Sequence, residues 1–526
     1  MKTATTISNQ NAFTRISLQE DQDDEKRFEM QEEKPSLFPS KRLLITLLFS
    51  LSNANLVFMR FNVNVAVIEM TSSKTYVIDG NLNVTQPAEF PWDTKTTGLV
   101  LSILFYGNLL SFLSGFVISK VGGSKMAAIS MIISGILTFL LPIVLRYNFY
   151  AFLFCRFLTG ILEGFAGAGL TEACSHWMPK SERGTLTSIY LNGLYVGTAA
   201  IYPLCGLLIS VSGWPMVFYF TGLTSSLFSL LCLILIRNHP SEDKWISKKE
   251  LSFILQESNT TNTKKVTTYS TYKRILTFVP IWMLFMVNFL CGWVVTTVLS
   301  SLALFIKDCT GKSTEEVAIL SSVPGALGIL ASALGGPLMD YWKNNSSIAL
   351  TRMHKIILGT AFISQMFLFM TQTFIQDLIM TIIIFVAIRL FLPYILIVMQ
   401  LISINIAPNY TGLVAGYTSF WFALGPIASQ TVASFMTSKH KIDEWNNYFL
   451  LTAGILLLGT ILFTLYGSSE PQSWSMSPNF EGKKSNLSNE NVNTSRRRTS
   501  EPVTSIQYTH KRINYRLGPV FQSAAN

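Results

Sequence analysis

Charge is what this chain has least of. Asp, Glu, Lys and Arg make up 13% of its 526 residues, against about a quarter in an ordinary soluble domain. With 49% apolar residues and a mean hydropathy of +0.38, that deficit argues against a soluble globular enzyme and for a polytopic membrane protein. Cysteine is scarce as well. Of the six, Cys155, Cys174, Cys205, Cys232 and Cys291 fall in or beside apolar runs and only Cys309 sits in a loop. They show no metal spacing and no disulfide framework. His176, His239, His354, His440 and His510 are dispersed and lie mostly in loops, so no nucleophile–histidine pair or metal cluster is visible. No phosphate-cradling glycine loop of the Walker type is present, which argues against a pump driven by ATP. Residues 1–40 are polar, with an acidic cluster from Glu20 to Glu33 and no early apolar core. No signal peptide is therefore expected, and the first apolar segment should act as its own insertion signal. The chain reads as a non-enzyme with no cofactor and no metal.

What the chain does have is long apolar runs. Twelve are read at 43–69, 97–118, 126–145, 150–171, 185–209, 214–236, 278–304, 317–339, 355–373, 377–403, 411–436 and 447–467. Each is long enough for one crossing. A polar break over 237–277 carries Lys244, Lys248, Lys249, Lys264, Lys265, Lys273 and Arg274. It divides the chain into a six-helix half at 43–236 and another at 278–467. Residues 1–42 and 468–526 read as disordered cytoplasmic ends. Six plus six around a basic central loop is the layout of a secondary transporter built from two repeats.

The net charge of +10 is explained by topology rather than by nucleic acid. Loops on the terminal side carry Lys120, Lys125, Lys180, Arg183, Lys343, Arg352 and Lys355 besides the central loop, and the opposite loops carry fewer basic residues. Both termini are thus expected in the cytoplasm. The sequon at Asn83 lies in the longest loop on the far side and is the expected glycosylation site. Those at Asn259, Asn344, Asn345, Asn409, Asn486 and Asn493 should face the cytosol and stay bare.

Few ionisable residues sit at membrane depth: Arg60 in the first segment, Arg156 and Glu163 in the fourth, and Arg389 in the tenth. Such charges are expensive and normally face a partner or a water-filled cavity. Asn53, Arg60 and Asn64 share one helix face, as do Arg156 and Glu163, seven residues apart. Gly160, Gly164, Gly167 and Gly169 flank the latter pair and permit close helix approach. Pro393 follows Arg389 closely and is expected to bend that helix. The guanidinium groups of Arg60 and Arg389 suit a carboxylate or phosphate, and Asn64 adds a polar contact. Glu163 is the candidate carrier of a coupling proton, with Arg156 as the partner that tunes it. A static Arg–Glu pair that only orders the bundle is the alternative.

Several motifs together resemble the anion:cation symporter family of the major facilitator superfamily, the group of sialin, vesicular glutamate transporters and sodium-phosphate cotransporter-like proteins. Arg60-Phe-Asn62-Val-Asn64-Val-Ala66 through Glu69-Met70 is similar to the family's Arg-x-Asn-Leu-Ser-Val-Ala-x-x-Asp-Met. Arg156 to Gly164 is similar to Arg-x-x-x-Gly-x-x-Glu-Gly, and Trp177, Pro179 and Glu182-Arg183 follow as Trp-x-Pro and Glu-Arg. Ile406-Ala407-Pro408, Glu444-Trp445 and Gly467 to Trp474 resemble later motifs. The second segment departs: Tyr106-Gly107-Asn108 continues without the family's Gln and Pro, and Ser119 replaces an acid that Asp340 keeps in the second half. Cys291 stands where vesicular glutamate transporters have an arginine, and Leu101 where they have a histidine. The resemblance implies an all-α membrane protein of the major facilitator fold with twelve transmembrane helices. It implies symport of an organic anion or inorganic phosphate with H⁺ or Na⁺, in the plasma membrane or a lysosomal or vesicular membrane. The expected partners are a small anionic substrate and the lipid bilayer, with no nucleic acid and a monomeric state. A transporter-like sensor or scaffold that no longer couples is the alternative, and a channel is disfavoured because no pore-ring motif is evident.

Overall fold

The computed structural model describes residues 35–71, 74–78, 82–257, 273, 275–298, 302, 305–306, 314–375, 377–437, 441–472 and 475. Most of the expected disordered ends and part of the central loop lie outside these residues. Fourteen α-helices are described. In chain order they are α1 (Lys41–Thr71), α2 (Thr94–Asn108), α3 (Ser114–Val121), α4 (Gly123–Tyr147), α5 (Phe149–Trp177), α6 (Arg183–Ser212) and α7 (Trp214–Leu235). After these come α8 (Lys248–Glu257), α9 (Val279–Thr296), α10 (Thr314–Asn345), α11 (Leu350–Gln372), α12 (Leu378–Ile406), α13 (Thr411–Met436) and α14 (Ile442–Tyr466).

Each expected apolar segment coincides with a helix or, for the second, with a helix pair. Ten spans among the described residues are long and apolar enough to cross a membrane. α10 and α13 occupy the eighth and eleventh positions and have the length, but fall outside those ten. The charged residues of α10 sit at its two ends, outside the apolar run 317–339, and α13 is rich in Gly, Ser and Thr. The count of twelve crossings therefore stays an expectation.

Side chains set the helix ends. Asn148 accepts from Tyr150 N at 2.8 Å and Ala151 N at 3.2 Å, which separates α5 from α4. Asp377 accepts from Met380 N at 3.0 Å and starts α12. Both satisfy amide donors that a helix start leaves without partners. Gly122, between α3 and α4, has φ +87°, a conformation that an L side chain would strain. The second crossing is interrupted by a 3₁₀ turn at Leu109–Leu113. α12 runs through Pro393 as one helix.

The helices pack in a repeated way. α1 lies along α6, and α4 lies between α5 and α7; α9 lies along α13, and α11 along α14. Contacts of α6 with α10 and of α5 with α13 join the first six crossings to the last. Between α1 and α2 the chain forms an antiparallel hairpin, β1 (Lys74–Ile78) and β2 (Leu82–Gln86), with Asn83 opposite Val77. At the other end the polar segments are tied down. Buried Arg42 pairs with Glu182 at 2.8 Å and Glu250 at 3.2 Å, which docks α8 against the start of α1. The chain beyond α14 turns back, with Gln472 N donating to the Ile406 carbonyl at 3.0 Å.

Candidate functional site

Close backbone contact between α2 and α5 creates the floor of the site. A Cβ on Gly160 would sit 2.0 Å from the Leu104 carbonyl oxygen, and one on Gly107 would sit 2.0 Å from that of Phe157. No side chain fits at either place, so the two helices touch. Glu163 lies one turn beyond Gly160 on the same helix.

Glu163 is fully buried, and its Oε2 accepts from Arg60 Nε of α1 at 3.0 Å. Its other oxygen is buried with no hydrogen-bond partner. The Arg60 side chain keeps 18% of its exposure, whereas that of Glu163 keeps none. Arg156, on the same face of α5, makes no hydrogen bond to Glu163 among the described residues. Its Nη1 donates to the Met59 carbonyl at 3.3 Å, and its Nε is buried without a partner. Its charge still acts on Glu163 through space. Arg60 rather than Arg156 is thus the direct partner of Glu163, across 103 residues of sequence.

Asn64 is half-buried one turn beyond Arg60. Its side chain meets the Tyr202 hydroxyl of α6. Tyr202 and Tyr195, two turns apart on α6, both lie within electrostatic reach of Arg389 on α12. The Arg389 guanidinium carbon is 5.6 Å from the Tyr195 ring centroid, close enough for a cation–π attraction. Arg389 Nε is buried without a hydrogen-bond partner. Asn64 on α1 thus faces Tyr202 of α6, and Arg389 on α12 overlies Tyr195 of the same helix. The two tyrosines are not among the residues that sequence singles out. Their one signal is a seven-residue spacing of phenols, which reads equally well as core. Asn83 lies in β2, away from this cluster in the fold.

The donor set is guanidinium, amide, phenol and one carboxylate. It can hold an anion and exchange one charge, but it offers no activated nucleophile. Among the described residues no group of three metal-ligating side chains comes together.

A bundle of apolar crossing helices with a buried ion pair inside it defines a membrane transporter in class. The match to known families agrees: the pattern of the Major Facilitator Superfamily covers residues 44–430, and the chain belongs to that superfamily. Its relatives are of the anion:cation symporter group. It is 26% identical to "Vesicular glutamate transporter 3" of Danio rerio, over 84% of this chain and 76% of the relative. It is 24% identical to "Sodium-dependent phosphate transport protein 3" of Mus musculus, over 84% of this chain and 96% of the relative. Among solved structures, the proton:xylose symporter XylE superposes with a TM-score of 0.59 at 16% identity, covering 81% of this chain and 96% of that one. At that identity the likeness is one of fold.

Proposed function

We propose that the protein is a secondary active symporter that moves an organic anion or inorganic phosphate together with H⁺ or Na⁺, by alternating access about the Arg60 cluster. The observation that carries this reading is the Arg60–Glu163 pair at 3.0 Å. An anion arriving at partly exposed Arg60 competes with Glu163 for the guanidinium. Once Arg60 is engaged elsewhere, a buried carboxylate is costly and takes up a proton. Anion binding and proton binding are coupled in this way, with Arg156 supplying a fixed second cation. Asn64 and Arg389 complete the anion contact. Arg389 overlies Tyr195, which is itself within reach of Cys291. This placement supports Arg389 as the substitute for the arginine that vesicular glutamate transporters carry at the Cys291 position. Relatives named for glutamate and for sodium-dependent phosphate transport support an anionic substrate. The basic loops support cytoplasmic termini, and the hairpin that carries Asn83, between α1 and α2, then lies on the opposite side.

A second reading, a sensor or scaffold that binds an anion without coupling, is favoured by one observation. The second crossing lacks the family's Gln and Pro and is broken by the 3₁₀ turn at Leu109–Leu113, where Ser111 Oγ donates to the Gly416 carbonyl at 3.2 Å. Purified full-length protein in liposomes separates the two. Phosphate, sialic acid, acidic amino acids and urate are offered under imposed H⁺ or Na⁺ gradients. Gradient-dependent accumulation of one anion supports the symporter. Saturable binding with no accumulation under any gradient supports the sensor.

A further inference from the structure

A cavity of about 190 Å³ lies at the terminal end of the bundle, away from the Arg60 cluster. Its polar lining is Lys180, Arg183, Asp340, Lys343, His354 and Asn405. These come from the α5–α6 connection, the start of α6, the end of α10, the start of α11 and α12. Their hydrogen bonds are unevenly satisfied. The Asp340 carboxylate accepts from Gly184 N at 2.9 Å and Thr185 N at 2.6 Å. Arg183 donates Nε and Nη2 to the Met178 carbonyl and Nη1 to Asn405 Oδ1 at 2.6 Å. Lys343 Nζ donates to the Lys180 carbonyl. Glu257, close by, accepts from Ser181 N at 2.7 Å.

His354 is the exception. It is fully buried, and neither ring nitrogen has a hydrogen-bond partner. Buried imidazoles that serve packing alone are normally bonded, and leaving a donor unmade is costly. Setting Lys180, Arg183 and Lys343 against Asp340 and Glu257 leaves the region net positive. Both carboxylates are already engaged by backbone amides. Burial pushes the Lys180 ammonium below the ordinary lysine range, and the nearby Arg183 and Lys343 cations push the same way against Glu257.

We propose that this cavity binds a phosphate-type oxyanion, either inorganic phosphate or a phosphomonoester headgroup, between Lys180, Lys343 and His354. Two ammonium groups act as point charges for such an anion, and the imidazole supplies an N–H from a third direction. The space accommodates a tetrahedral oxyanion with water around it. The bound anion bridges the α5–α6 connection to α10 and α11. It thereby strengthens the same closure that Asp340 makes on the start of α6, and it favours the arrangement closed at the terminal end. The proposal is independent of the substrate reading and concerns a different site.

The test is thermal stability of the purified full-length protein, titrated with inorganic phosphate against chloride at equal ionic strength, and separately with a short-chain phosphatidylinositol monophosphate. The expected result is a saturable rise of roughly 2–4 °C. A rise with both probes at similar concentration indicates free phosphate; a rise at much lower concentration of the lipid indicates a headgroup. His354→Leu should match the wild type in chloride and lose the rise, as should Lys343→Gln. No rise with either probe overturns the proposal. So does a rise lost in Arg389→Ala but kept in the other two variants, because the anion then binds at the Arg60 cluster. Should a variant fail to fold, amine acylation of wild-type Lys180 and Lys343, read by mass spectrometry, decides. Protection by phosphate supports the site, and unchanged labelling overturns it.

Discussion

Arg60 and Glu163 form a pair whose two members are not equally buried, and this predicts unequal penalties. Arg60→Gln strands a carboxylate that has no exposure at all, next to an oxygen already lacking a partner. Removing one partner of a buried pair costs about 3–5 kcal/mol, and this variant belongs at the upper end. Glu163→Gln leaves a guanidinium with 18% of its side chain exposed, so water offsets part of the loss and roughly 1–3 kcal/mol is expected. The double variant removes both charges and should be more stable than Arg60→Gln alone, with a coupling energy on the order of 2–3 kcal/mol. The assay is apparent Tm in detergent, from the fraction still monodisperse after heating, for all four forms. Additive penalties, or equal penalties in the two single variants, would refute the pair as described.

The α2–α5 contact, the anion site and the hairpin can each be tested in turn. Gly160→Val drives a side chain into the Leu104 carbonyl and should reduce the yield of folded protein, by an overpacking penalty of about 1–3 kcal/mol; a normal yield would contradict the α2–α5 contact. Arg389→Ala, surface-expressed at wild-type level, should weaken anion affinity roughly tenfold, which is about 1.4 kcal/mol. An unchanged KM would remove Arg389 from the substrate site. Asn83→Gln should abolish the gel-mobility shift produced by endoglycosidase; persistence of the shift would place the glycan elsewhere.

The crossings are legible in the sequence because a chain that folds in water seldom carries repeated apolar runs of bilayer length. Their ends are less so. α5 continues to Trp177 and α10 to Asn345, since a helix need not stop where the bilayer does and its charged last turns reach the polar interface. Arg156 and Glu163 can be placed on one face by period alone. Arg60 is legible as a candidate partner of Glu163, because a charge at membrane depth needs an opposite one. That its bond goes to Glu163 while Arg156 turns to the Met59 carbonyl is not, since no periodicity encodes which helices meet. The 3₁₀ turn at Leu109–Leu113 leaves no mark either, as Ser111 and Gly416 meet only in the assembled bundle. Arg42 finds only backbone carbonyls, those of Pro35 and Ser36, in its own stretch of sequence. Its burial between Glu182 and Glu250 depends on two acids more than a hundred residues away.

On the proposed mechanism, Glu163 carries the charge exchange that couples anion movement to a proton gradient. The most direct measurement of that role compares wild type and Glu163→Gln in liposomes, using whichever anion the wild type accumulates under an inward proton gradient of one pH unit. With one proton per anion and no net charge moved, the wild type should sustain roughly tenfold accumulation, matching about 1.4 kcal/mol of driving force. Glu163→Gln should fall to equilibration, with no accumulation, while still exchanging labelled for unlabelled anion across the membrane. Full accumulation by Glu163→Gln would contradict the account.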